Sequence, residues 1–214
     1  MFTVNGPSGL SAEVEFTLLD ATTLQVRLRN TSTGLPDGFD NSDQLLTGLS
    51  WDFGAAGINV GDITITGGSA VIGPASQSVN FSTGAYGPGT DIGGEWGFSN
   101  LGISGALPNG ISSNQAGTTP FGGANLDGPV ELDGPQAGLL SAAFSLPLGG
   151  LGAIMDEIVA TLTLSSAITE AELLNDLNAN GIIIEFGSDA AFIPAPGALA
   201  LLGIAAFARR RRRD

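Results

Sequence analysis

The chain has no cysteine, no histidine and no lysine, and each absence removes a chemistry. Without cysteine there is no disulfide framework, and without cysteine or histidine there is no zinc site of the usual ligands. Ser-His-Asp and Cys-His nucleophile systems are excluded for the same reason. Without lysine there is no Schiff base and no phosphate-loop lysine. Positive charge is scarce and badly spread. Of seven arginines, five are Arg209, Arg210, Arg211, Arg212 and Arg213, so residues 1–208 set Arg27 and Arg29 against 20 carboxylates. A body with a net charge of −18 repels phosphate, and nucleic acid is not expected as a partner.

What is present points to β structure. The 214 residues include 33 glycines, and only 13% are charged, yet 43% are hydrophobic, enough to build a core. Many glycines among Val, Ile, Leu, Thr and Phe predict short strands and many turns. Residues 11–30 alternate clearly. Ala12, Val14, Phe16 and Leu18 form one set, Leu24, Val26 and Leu28 its partner, with Asp20-Ala21-Thr22 as the turn. The hairpin places Glu13, Glu15, Arg27 and Arg29 on its wet face, where cross-strand ion pairs are expected to be worth only about 0–1 kcal/mol. Further strands are predicted around Leu49, Trp51 and Phe53, at 58–66, 69–73 and 77–81, near 94–98 and 137–146, and at 157–165.

Residues 84–152 differ, with 18 of the 33 glycines and five charges, all acidic. They read as irregular loops that are functional or ordered by something outside the local pattern. A helix is predicted after Thr169, which has capping-box spacing to Glu172; Ala171, Leu174 and Leu177 recur at helical intervals and Gly181 stops it. Residues 182–186 read as a last buried strand. The expected fold is mostly β: an antiparallel β-sandwich, jelly-roll-like or Ig-like, with one short α-helix and a C-terminal hydrophobic helix. The sandwich domain is assigned residues 1–188, and 189–214 a separate C-terminal segment.

That segment is the most specific feature. Residues 190–208 carry no charge, and the five arginines follow at once. As a helix, 19 residues reach roughly 28 Å, near the thickness of a bilayer core, although Pro194 and Pro196 delay the regular helix to Gly197–Ala208. An apolar segment ended by Arg reads as a membrane stop with the arginines on the cytoplasmic side. Ile193-Pro194-Ala195-Pro196, the small-and-Leu-rich run and the terminal Arg cluster together resemble a PEP-CTERM sorting signal, the tripartite tail of exosortase substrates in Gram-negative bacteria. Ala195 stands where the commonest form of that motif has Glu. Several middle segments, among them Gly93-Gly94-Glu95-Trp96 and Asp133-Gly134-Pro135-Gln136, are similar to exosortase-dependent surface proteins. The resemblance implies export, transient insertion in the inner membrane, processing by an exosortase-type enzyme near the Pro motif, and delivery to the envelope or extracellular matrix. Met1-Phe2-Thr3-Val4-Asn5-Gly6 has neither a basic nor an apolar signal region, so an export signal is expected upstream.

The expected role is that of a surface protein without catalysis and without a resident cofactor. The alternative is a carbohydrate-binding module associated with exopolysaccharide, with Tyr86 and Trp96 as its aromatic candidates. Paired acids can hydrolyse glycosides, and Asp91 and Glu95 lie beside Trp96, but no sugar subsite can be placed around them. Calcium is the candidate ion: Asp37, Asp40, Asn41 and Asp43 put hard oxygen ligands within seven residues, and Asp127 with Asp133 forms a looser pair. The same residues serve Asx turns, the reading the spacing favours.

Overall fold

The computed structural model describes residues 1–6, 9–33, 44–53, 63–101, 107–114, 117–128, 132, 134–143, 150–187 and 191–194. Among these, the chain is mostly β, with two sheets and one short helix.

The first sheet grows from the hairpin. β1 (Phe2–Asn5), β2 (Ser11–Asp20) and β3 (Thr23–Asn30) pair in sequence, and β12 (Glu157–Leu164) and β5 (Ile65–Ile72) complete the order β1-β2-β3-β12-β5, antiparallel throughout. Alternation decides the faces as expected. Ala12, Val14, Leu24, Val26, Leu28, Ile158, Ala160 and Leu162 are all fully buried. Burying each large aliphatic side chain contributes roughly 1.5–3 kcal/mol. The outer edge of β5 is covered by residues 89–92, whose backbone bonds to Ala70 and Ile72, which closes an edge open to intermolecular pairing.

The second sheet has nine strands of uneven length. Its centre is β4 (Leu46–Trp51), buried at all six positions. Along one path run β6 (Gln77–Val79), β11 (Ala153–Met155), β10 (Leu139–Leu140), β4, β8 (Asn109–Ser112), β7 (Gly97–Ser99) and β9 (Thr119–Pro120). β13 (Ile182–Phe186) also pairs with β4, and β14 (Ala191–Pro194) pairs with β13. The β10–β11 pair is parallel. Both sheets feed one hydrophobic cluster, in which the Phe16 ring meets Trp51 edge-on at 5.4 Å.

Helix α1 (Glu170–Asn180) opens with the expected capping box: Thr169 accepts from the Glu172 amide, and Glu172 accepts from the Thr169 amide. Gly181 ends it at φ 75°. The buried stripe differs from the expected one. Ala171 and Leu174 are exposed, and the inward face carries Leu173, Asp176 and Leu177.

Other expectations need correction. The strands at 58–66 and 69–73 were separated at Gly67-Gly68, but β5 runs through both glycines. A Cβ on Gly68 would stand 2.5 Å from the Thr161 carbonyl oxygen and 2.9 Å from the Phe121 ring, so the glycine admits close neighbours rather than breaking the strand. Ile58 and Val60 lie outside the described residues. Of the strand expected at 137–146, the described residues form only a two-residue strand, Leu139–Leu140. β13 is not the last strand: β14 pairs with it. The expected C-terminal hydrophobic helix lies outside the described residues, and among those described no helix is long and apolar enough to cross a membrane.

Candidate functional site

The sorting-like motif begins inside the sheet. Ile193 pairs with Ile184 and Pro194 with Ile183, antiparallel, and β14 has β13 as its strand partner. A peripheral strand suits proline, which has no N–H to give to a ladder. Ala195, Pro196, the segment Gly197–Ala208 and Arg209–Arg213 lie outside the described residues.

A charged cleft gathers the only two arginines of residues 1–208. Both project from β3. The four charged residues share one face, as expected; the cross-strand register sets Arg27 opposite Glu15 and Arg29 opposite Glu13, and Arg27 reaches Glu15 at 3.6 Å. The closer partners come from the other side. Arg27 donates through Nε to Glu157 at 2.6 Å, and Arg29 donates through Nε and Nη2 to Asp156 Oδ2 at 3.0 and 2.9 Å. Both acids are buried, and Asp156 also accepts from the Ser76 hydroxyl at 3.2 Å. The bond to Asp156 raises the Arg29 pKa further above its ordinary value, against the opposing effect of burial. Beside the pairs lies a concavity of about 400 Å³, lined by Arg27, Arg29, Ala75, Gln77, Asp156 and Glu157 among others. Ala75 holds φ 63° there, a conformation that residues other than glycine and asparagine adopt rarely. With Asp156 and Glu157 bonded to the two guanidiniums, the cleft presents two paired charges that balance. It can hydrogen-bond a polar ligand, with neither sign of charge in excess among its lining residues. Asp156 and Glu157 were missed because β3–β12 pairing spans more than 120 residues. The available signal was two adjacent acids at the head of an apolar strand in a chain short of cations.

The other candidate residues belong to the glycine-rich loops. Trp96 is fully buried and its indole N–H donates to the Ala137 carbonyl at 2.9 Å, so its ring offers no stacking face to a sugar. Tyr86 is half-buried, with its hydroxyl bonded to Thr83 at 2.8 Å. The aromatic platform expected of these two residues is therefore not formed by Trp96. Asp91 accepts from the amides of Gly93 at 2.8 Å and Ala124 at 3.3 Å. Glu95 is fully buried and accepts from the Leu126 amide. Both acids are engaged in ordering loop backbone. Gly123 packs so tightly on Asp91 that a Cβ would come within 2.5 Å of its carboxylate.

Of the calcium candidates, Asp37, Asp40, Asn41, Asp43 and Asp133 lie outside the described residues. Asp127 sits in an Asx turn, its amide donating to Asn125 Oδ1 at 3.2 Å. Among the described residues no three acidic side chains stand together as a metal cage.

The chain matches no protein-family model, no curated protein and no solved structure.

Proposed function

We propose that this chain is an exported surface protein of the bacterial envelope or extracellular matrix, delivered by an exosortase-type C-terminal signal. Its body is a β-sandwich whose two sheets share one core. The observation that carries the reading is the tail: a Pro motif, an apolar segment and five arginines in that order at residues 193–213. The motif's first two residues, Ile193 and Pro194, are the last two of β14, so processing beyond Pro194 would leave the paired strands of the body intact. The apolar segment would hold the precursor in the inner membrane and the arginines would fix its orientation. The body would then act as a non-catalytic surface module.

The test is to express the chain behind an export signal in paired hosts with and without an exosortase, then read intact mass and location. The expected product in the first host lies outside the inner membrane and lacks the mass of the Gly197–Asp214 region. A full-length species with its arginines intact in both hosts overturns the proposal.

A further inference from the structure

The charged cleft is built in two layers, and buried acids hold the outer layer still. Asp156 takes part in both walls. Its Oδ2 accepts from Arg29 Nε and Nη2. Its Oδ1 accepts from the Ser76 hydroxyl at 3.2 Å, and its amide donates to the same hydroxyl at 3.3 Å. These bonds pin a turn that the Ser76 amide closes on the Gly73 carbonyl at 3.2 Å. The turn also sits on the second acid. The Gly73 amide donates to the Glu157 carbonyl at 2.9 Å, and a Cβ on Gly73 would collide with the Glu157 carboxylate. Glu157 in turn fixes Arg27. Two guanidiniums and the turn bearing Pro74 and Ala75 are thus set by buried acids before any ligand arrives, which lowers the cost of binding.

What is left over selects the ligand. Among the described residues, Arg27 Nη2 and Arg29 Nη1 have no bonded partner. The exposed Gln77 adds an amide that both donates and accepts. Pro74, Ala75, Ala142 and Met155 supply apolar lining beside these groups. An ion or a zwitterion gains little here. Each guanidinium already meets a carboxylate, and a charged ligand would have to displace a bond to a buried acid and strand that charge. A neutral ligand with several hydroxyls needs no such exchange. Each hydroxyl donates and accepts at once, so neighbouring hydroxyls can use the spare N–H groups and the Gln77 amide while C–H groups rest on the apolar lining. The volume of about 400 Å³ falls within the roughly 300–1,000 Å³ of small-molecule sites. The strained backbone of Ala75, at φ 63°, is a feature that ligand sites accumulate.

We propose that this cleft binds a neutral polyhydroxylated ligand, a sugar unit of a saccharide. The site is distinct from Tyr86 and Trp96, and it rests on the cleft alone, independently of the C-terminal signal.

The test titrates the full chain with neutral tetrasaccharides of glucose, galactose, mannose or N-acetylglucosamine, followed by heteronuclear NMR. At least one should shift the Nε–H signals of Arg27 and Arg29 and the Gln77 side-chain amide, and the shifts should saturate. Affinity should hold between low and high salt, because no net charge is neutralised. Gln77→Ala removes one hydrogen-bonding group and should weaken binding by about three- to tenfold. Ala142→Phe fills the cleft and should abolish the shifts. Both positions are exposed, so thermal melts of the two variants should match the wild type. Tighter binding of a galacturonate tetrasaccharide or of glycine at the same signals assigns the cleft to charged ligands and overturns the proposal. Saccharide binding that both variants leave unchanged places the sugar elsewhere and overturns it too. So does a set in which no saccharide moves the two arginine signals.

Discussion

The two sheets are built from the same chain by different means. In the first sheet β2 has ten residues and β3, β5 and β12 have eight each, long enough for the antiparallel ladder to satisfy the backbone by itself. In the second sheet β7 and β11 have three residues and β9 and β10 two. There the loops between strands are ordered by side chains that reach backbone groups: Glu95 to Leu126, Asp91 to Gly93 and Ala124, Trp96 to Ala137, Thr47 to Gly187, Ser112 to Thr47. A short strand leaves most of its neighbours' N–H and C=O groups to find other partners, and buried polar side chains provide them. Acidic residues that look like a catalytic pair in sequence are, in the loop layer, substitutes for a ladder.

The largest test of this contrast is at the seam. Trp51 lies on β4, touches Phe16 of the first sheet, and meets Phe53 at 6.0 Å. Trp51→Ala should destabilise the chain by about 3–5 kcal/mol, the cost of a large buried aromatic. Denaturant titration followed by circular dichroism should show one transition at lower midpoint. Two separated transitions would mean that the sheets unfold independently and that the shared core does not couple them. A smaller and more local loss is expected from Glu95→Ala, which strands the buried Leu126 amide at about 1–3 kcal/mol. Hydrogen exchange should quicken at Leu126 and its loop while the β12 amides stay slow. Equal acceleration in both places would erase the distinction between side-chain-ordered and ladder-ordered regions.

The same contrast explains what could be read from the sequence. The hairpin was legible because Val14, Val26 and Leu28 alternate with Glu13, Glu15, Arg27 and Arg29, and period two has one structural meaning. The cap of α1 was legible because Thr169 and Glu172 satisfy each other locally. Its buried face was not, since Asp176 is polar by composition and buried only by what packs over it. β8, β9, β11 and β14 are too short or too glycine- and proline-rich to carry a periodic signal. The role of Glu95 was hidden for the same reason as that of Asp156 and Glu157: its partner, Leu126, is set by tertiary structure rather than by spacing. Whether Trp96 is core or surface could not be read, because a glycine-rich loop carries no period to assign a face; it is fully buried, with its indole N–H bonded to Ala137.

The smallest effect is expected on the wet face of the hairpin, at the Arg27–Glu15 pair. Arg27 has two acidic partners that differ in environment. Glu15 is 46% exposed at 3.6 Å, while Glu157 is 2% exposed at 2.6 Å. The exposed pair is weakened by water and salt and must hold two long side chains in one arrangement. Glu15→Gln should therefore change stability by no more than about 1 kcal/mol, with the difference shrinking as salt is added. Glu157→Gln leaves a buried amide against a guanidinium and should cost more, with little salt dependence. Comparing the two variants' denaturation midpoints at low and high ionic strength separates the contributions. Equal costs would show that the first sheet, too, depends on its polar face, and that alternation of apolar residues does not by itself account for it.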